Sequence, residues 1–341
     1  MIDAAAAFRN LGLTPVGISP VIPESVKVGW RKFRVTAARP SMGTLVTITA
    51  LNPSPGRAED AVGRAFEEID RLVAILSRHD TSSPLSHLNQ EGFIEGFPLE
   101  LGHVVERALH YNRISEGVFD ITIKPLLDLF EAGSGDAGFV EPSDDVLKRI
   151  LERTGTDALS VETHTLRFLR EGMGLTLDGI AKGFIVDMAA EVLKRNRIRN
   201  FIINAGGDIR TGGHREDGKP WTIAVQDPEK AGDFPDILTL TDGAVATSGS
   251  YEIFFDPEMK HHHIVEAGSG RSPGKKSSVS VIAPTALAAD ALATAIFVMD
   301  ADKGLGLMES LPRCDSLIID RDGSMSASTG WPGQRIDGPG R

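Results

Sequence analysis

The sequence predicts an α+β fold in which mixed or antiparallel sheets are flanked by helices, and it does not predict a Rossmann arrangement. Three observations carry this. Apolar positions in residues 58–77 recur at spacings of three and four, the mark of an amphipathic helix. Short β-rich runs come in close pairs that suit hairpins better than crossovers. No Gly-x-Gly-x-x-Gly turn follows the first strand.

Residues 1–30 contain Ala, Pro and Gly with weak periodicity and are expected to form a flexible arm, with residues 331–341 as a tail. Lys32–Ala38 and Leu45–Leu51 flank Ser41-Met42-Gly43-Thr44 and predict strand, turn, strand. The helix of residues 58–77 buries Ala61, Val62, Ala65, Phe66, Ile69, Leu72, Val73 and Leu76. Val104, Val105, Ala108 and Ile114 mark a second helix that Gly117 is placed to end. Gly133–Pro142 is expected to be a Gly-rich acidic loop, followed by a short helix capped by Ser143 or Asp144. Two short strands, Leu159–Val161 and Leu166–Leu169, precede a helix over Gly179–Arg195 with Ile180, Phe184, Met188 and Val192 on one face. Phe201–Asn204, Trp221–Val225, Ile237–Leu240 and Ser278–Ile282 predict further strands. Thr285 caps a strongly apolar helix, Ala286–Met299; a short helix and the strand Asp315–Ile319 complete the fold.

Composition narrows the function classes. Hydrophobic residues make up 41% of the 341, enough for a sizeable core. The net charge is −11 and no basic stripe occurs, so no nucleic-acid partner is expected. An acidic chain that binds a polyanion must neutralise it locally, and a metal ion is one way to do so. The single cysteine, Cys314, excludes an internal disulfide framework and a multi-cysteine metal site. No stretch reaches the roughly 20 apolar residues of a membrane span, and residues 1–23 lack the charged start and apolar run of a secretion signal.

Five constellations are candidates for chemistry. Asp290 and Thr294 lie four apart on an apolar helix, so both oxygens share a face. A buried carboxylate is costly unless paired, and hard oxygen ligands of this kind suit Mg²⁺ together with substrate phosphates. The structural alternative is an Asp held by Arg or a backbone N–H. Leu177-Asp178-Gly179-Ile180-Ala181-Lys182-Gly183 runs from a strand end into a helix start, where exposed amides and Lys182 attract phosphate. The alternative there is a plain helix with Asp178 as its N-cap. Asn204-Ala205-Gly206-Gly207-Asp208 follows a strand and allows close backbone approach, or is a simple tight turn. Ala246-Thr247-Ser248-Gly249 offers hydroxyls to a phosphate or ring edge, or is only a turn. In the run His261-His262-His263, at most His261 and His263 share a strand face, and one of them as a polar contact to a ligand is a better expectation than zinc.

Along the chain the blocks run Ser41-Met42-Gly43-Thr44, Gly117-Val118-Phe119-Asp120-Ile121-Thr122, Asp178–Gly183, Asn204–Asp208, Ala246–Gly249, His263 and Ala289–Thr294, and this order resembles the FAD:protein FMN transferase (ApbE-type) family over about residues 33–328. The resemblance implies an ApbE-like fold, with residues 31–330 as a flavin transferase domain of one body or two intertwined subdomains. It implies FAD as substrate, cleaved at its pyrophosphate, with FMN moved to a Thr or Ser of an acceptor flavoprotein subunit and AMP released. It further implies acceptors in membrane redox complexes and a periplasmic or membrane-associated setting. Carried over residue by residue, Mg²⁺ falls to Asp290, Thr294 and the Gly179 carbonyl. Dinucleotide contacts fall to Met42, Val118, Phe119, Asp120, Lys182 and Ile264. His263 and Asp208 are candidates for the base that assists the attacking hydroxyl. The chain departs from the family at Thr176 and Asp178, where an Asp-Leu-Gly-Gly run is common, at His79, where Tyr is common, and at Glu266-Ala267, where Asp-Pro is common. Thr176, Asp178 and His79 are nonetheless counted among the dinucleotide contacts. Two other readings stay open: hydrolysis of FAD to FMN and AMP, and a non-catalytic flavin-binding or assembly protein.

Overall fold

Hairpin after hairpin adds up to one long sheet in the computed structural model, which describes residues 23–135, 138–226, 234–251 and 253–335. The first third comprises β1 (Glu24–Gly29), β2 (Lys32–Ser41), β3 (Thr44–Asn52), α1 (Pro55–Leu76), α2 (Pro84–Glu91), β4 (Phe93–Glu95) and α3 (Leu99–Ile114). The middle comprises α4 (Lys124–Gly133), β5 (Ser134–Gly135), β6 (Gly138–Phe139), α5 (Asp144–Leu151), β7 (Leu159–Val161), β8 (Thr165–Phe168), α6 (Ala181–Arg195), β9 (Asn200–Ala205) and β10 (Asp208–Gly212). The rest comprises β11 (Trp221–Val225), β12 (Asp236–Leu240), β13 (Ala244–Gly249), β14 (Lys276–Ala283), α7 (Ala286–Val298), α8 (Ala301–Ser310), β15 (Asp315–Asp320), β16 (Met325–Ala327) and β17 (Gln334–Arg335).

Nine strands pair in the order β1-β2-β3-β9-β10-β13-β14-β15-β16, antiparallel at every step. Strand alternation gives the sheet two apolar faces. Ile318 joins the main core under α1, α6 and α7, while its neighbours Leu317 and Ile319 point the other way, to Ile209, Ile223, Val225 and Leu238 beneath the small sheet β11-β12-β17. Helix α1 follows its predicted stripe: Ala58, Ala61, Val62, Ala65, Phe66, Ile69, Leu72 and Leu76 are buried, and Ser54 caps it with Pro55 in the first turn. Helix α7 is buried nearly all round, as its composition requires, with the Thr285 hydroxyl accepting from the Ala288 N–H at 3.2 Å.

Several expectations need correction. Within the supposed arm, Glu24–Gly29 is a strand, with Ser25 opposite Val35; the open edge of β2, more than its own short pattern, draws it in. Residues 1–22 lie outside the described residues. In the Gly133–Pro142 stretch, Ser134 pairs with Phe139 in a short ladder, and residues 136 and 137 lie outside the described residues. Thr247–Gly249 is not a turn but part of β13, paired to β14 on one side, with β10 alongside its start. In the tail, Gln334–Arg335 pairs with β12, and residues 336–341 lie outside the described residues. Helices α2 and α4 were not foreseen, since each is short and opens on a Pro-containing turn. No helix among the described residues is long and apolar enough to cross a membrane.

Candidate functional site

Helices α6 and α7 lie against each other over the middle strands of the long sheet, and the start of α6 with Asp290, Thr294 and Val298 of α7 forms one wall of a cleft. Closeness is the reason for the glycines here. A Cβ on Gly183 would fall 2.3 Å from the Ala286 carbonyl oxygen, and one on Gly179 would fall 2.9 Å from Thr294 Oγ1. Asp290 is 4% exposed, and its Oδ2 accepts the Gly183 N–H at 2.9 Å. Thr294 Oγ1 lies 3.3 Å from Ser248 Oγ on β13.

The facing wall comes from two irregular segments. One runs through Val118, Phe119, Asp120, Ile121 and Ile123, and the other through His263, Ile264 and Val265. Thr122 donates both its N–H and its hydroxyl to Asp120 Oδ1, at 2.7 and 2.6 Å, which closes that turn. The Thr176 N–H donates to the Ile121 carbonyl at 2.8 Å and ties the turn to the segment before α6, which is irregular rather than the strand end that the sequence predicts. The cleft is open to solvent, and its cavity volume is about 80 Å³.

Most of the residues singled out in the sequence meet here: Val118, Phe119, Asp120, Thr176, Asp178, Gly179, Lys182, Asp208, His263, Ile264, Asp290 and Thr294 all line the cleft. Two do not. Met42 occupies the tight β2–β3 turn with φ 52°, followed by Gly43 at φ 72°. Thr44, next along, packs against the Gly206–Gly207 turn, since a Cβ on Gly206 would strike its hydroxyl at 2.4 Å. His79 follows α1, with its N–H donated to Ser77 Oγ at 3.2 Å. Sequence reasoning missed Arg78. Its side chain is 10% exposed and bridges Asp178 and Glu131, each at 2.8 Å. No local pattern announces that bridge, because its partners lie far along the chain.

Asp178 is not the N-cap of α6. That position is Ile180, without a side-chain cap. The first-turn amides are also less available to phosphate than the sequence suggests, because Ala181 N–H goes to the Leu177 carbonyl and Gly183 N–H to Asp290. The positive charge of Lys182, 3.2 Å from Asp208 Oδ2, is thus the direct attraction for an anion at this helix start.

Burial dominates the electrostatics. Desolvation pushes His263 down to about 4, with the Ile253 carbonyl opposing and the Lys182 charge adding to the fall, so the ring is neutral at pH 7. Its Nδ1 lies 3.5 Å from the Ile253 carbonyl oxygen. His262 is also pushed to about 4 by burial, but it points into the core with Nε2 3.0 Å from the Pro273 carbonyl. His261 packs against both Phe130 and Phe139, away from the cleft lining. Burial raises Asp120 despite its Thr122 hydrogen bonds. Partial desolvation in the cleft would raise Asp178, whose side chain stays 47% exposed, but the Arg78 charge outweighs it and holds that carboxyl below its ordinary range.

Among the described residues, no three His, Cys, Asp or Glu side chains gather to hold a metal. The donors present are of another kind: one carboxylate and one hydroxyl a helical turn apart, with a glycine in the turn before α6 whose missing side chain leaves room beside Thr294. Such a hard, oxygen-only set fits Mg²⁺, which completes its shell with water and substrate phosphates.

The ApbE family model matches residues 42–318. The FAD:protein FMN transferase of Vibrio cholerae is 32% identical over 286 residues, covering 81% of this chain and 85% of its relative. That of Haemophilus influenzae is 30% identical over 298 residues, covering 83% and 85%. Among solved structures, the ApbE protein of Thermotoga maritima superposes with a TM-score of 0.79 at 27% identity, over 87% of this chain and 97% of that one. The flavin transferase ApbE of Vibrio cholerae gives 0.74 at 28% identity, over 90% and 98%. A family-model match over most of the chain, with relatives at 30% identity or more and the same α+β fold, shows that this chain belongs to the ApbE family.

Proposed function

We propose that this chain is an FAD:protein FMN transferase that works with Mg²⁺ on a Thr or Ser of an acceptor flavoprotein. The observation that carries this reading is the meeting, in one cleft, of a cation-fitting oxygen set with Lys182 and a neutral imidazole. In this reading residues 31–330 act as the transferase unit. Asp290, Thr294 and the Gly179 carbonyl would hold Mg²⁺, which supplies charge neutralisation at the pyrophosphate. Lys182 draws the phosphates to the start of α6, and Asp208 holds its ammonium in place at 3.2 Å. Val118, Phe119 and Ile264 offer apolar surface to the rings, while Asp120, Thr176 and Asp178 offer oxygens to hydroxyl or amino donors.

The acceptor hydroxyl oxygen attacks the flavin-side phosphorus. The bond from that phosphorus to the bridging oxygen breaks, and AMP leaves with that oxygen. Phosphoryl transfer of this type depends on in-line positioning and charge stabilisation more than on covalent help. The hydroxyl proton goes to His263. With Nδ1–H turned toward the Ile253 carbonyl, Nε2 carries the free lone pair. Family resemblance suggests acceptors in membrane redox complexes.

The test is to incubate the full chain with FAD, Mg²⁺ and a Thr-containing acceptor domain. In-gel flavin fluorescence and a mass gain of one FMN are expected, both abolished by EDTA. Release of FMN and AMP without labelling would show a hydrolase instead, and FAD binding without turnover would show a binding protein.

A further inference from the structure

The two helices that carry the candidate ligands are cross-tied at their starts, each by a carboxylate of the other. Gly183 N–H of α6 donates to Asp290 Oδ2 of α7 at 2.9 Å. In return Asp187 of α6 takes the first two amides of α7, Ala286 N–H on Oδ1 and Leu287 N–H on Oδ2, both at 2.9 Å. Arg210 of β10 supports Asp187 from the sheet side, with Nε 3.3 Å from Oδ1. The junction has no slack, because a Cβ on Gly183 would meet the Ala286 carbonyl oxygen at 2.3 Å. Asp187 itself does not line the cleft.

We propose that Asp187 is a positioning residue that seats the first turn of α7 on α6 and so sets how far Asp290 and Thr294 stand from Gly179 and Lys182. This rests on the transferase reading, in which those four residues hold the cation and the pyrophosphate. A carboxylate is the right group for the task. It accepts two N–H bonds at once, and its charge suits the positive end of the α7 dipole. An asparagine would accept one amide and present its own NH₂ to the other, donor against donor. The start of α7 would then shift, and a helix passes such a shift on to Asp290 one turn later and Thr294 two turns later. Groups that orient metal ligands from behind matter on this scale.

The experiment uses the full chain, with Mn²⁺ in the presence of ADP as probe and calorimetry or electron paramagnetic resonance as readout. Asp187→Asn is expected to weaken Mn²⁺ binding about tenfold. Thr285→Ala removes the helix's own cap and lowers the melting temperature, yet leaves the tie to α6 and the Mn²⁺ affinity intact. Arg210→Met, which takes away only the support of Asp187, carries the same prediction at smaller size should the Asn variant not fold. Mn²⁺ binding lost in Asp290→Asn but unchanged in both Asp187→Asn and Arg210→Met overturns this inference alone. So does an equal loss in Thr285→Ala, which would reduce Asp187 to a general prop of the helix. Mn²⁺ binding that is the same in wild type and Asp290→Asn overturns the metal assignment, and this inference with it.

Discussion

The cleft has two walls of different construction. On one side α6 and α7 are locked by three hydrogen bonds of 2.9 Å and by backbone contacts that leave no room for a methyl group. On the other side Val118–Ile123 and His263–Val265 are irregular, and they are held by an Asx turn, by single hydrogen bonds from Asn112 to the Phe119 carbonyl and from Thr176 to the Ile121 carbonyl, both at 2.8 Å, and by burial. In the proposed reading the first wall carries the oxygens that would hold a small hard cation, whose geometry is demanding. The second wall tunes protonation and presents apolar surface, tasks that tolerate more movement. The two walls should therefore fail differently when altered, the first abruptly and the second by degrees.

The largest effect is expected from Asp290→Asn. It keeps an acceptor for the Gly183 N–H but removes the carboxylate charge. FMN transfer should fall roughly a thousandfold, the several kcal/mol that a bound metal contributes, as measured by initial rates of acceptor labelling. A variant near wild-type rate would move the metal off the helical wall. Next, His263→Ala should slow transfer about a hundredfold or more as a lost proton acceptor. Because burial holds His263 near 4, the unprotonated form persists throughout the neutral range. The rate should then show no limb at the ordinary imidazole value of 6.5 and should fall only as pH drops through about 4. A limb near 6.5 that vanishes in His263→Ala would mean that the facing wall is wetter than its packing indicates.

Gly183→Ala tests the tightness of the first wall directly. Its new methyl would meet the Ala286 carbonyl oxygen and carbon at 2.3 and 2.6 Å, and both are backbone atoms. A loss of about 1–3 kcal/mol in urea unfolding is expected, the usual cost of overpacking. The smallest effect belongs to Arg78→Met. Asp178 is 47% exposed, so water screens the pair and its loss should cost about 1 kcal/mol or less. The sign follows from a lowered carboxyl pKa: the stabilisation is present above the ordinary value of 3.8 and is lost as pH falls through the folded one. Melting curves of wild type and Arg78→Met should thus differ most at neutral pH and converge in acid.

Legibility in the sequence divides along the same line. The helical wall could be read because α-helical periodicity places Asp290 and Thr294 on one face with no knowledge of the rest of the fold. The roles of Gly179 and Gly183 could only be guessed at, since a close approach depends on the partner helix, 107 residues away in the case of Gly183 and Asp290. The facing wall came from motif order rather than from pattern. Nothing in Ser77-Arg78-His79 says that Arg78 turns inward to Asp178 and Glu131, 100 and 53 residues on. Likewise Thr247-Ser248-Gly249 has turn-like composition, and only its pairing with β14 makes it a strand. Local propensity was overruled there by partners that the local sequence does not contain.

The turn at Met42 carries a consequence for anyone evolving this scaffold. Both of its central residues adopt the left-handed backbone, at φ 52° and 72°. Asn-Gly is the usual solution for such a hairpin, and a long side chain at the first position costs about 1 kcal/mol. Position 42 is therefore a fork in directed evolution. Selection for heat resistance alone should bring in Asn. Selection for flavin transfer should keep the thioether if the end of the sheet beside Thr44 and Gly206 meets the substrate. Sequencing the survivors of the two regimes would weigh one side chain against the backbone that carries it.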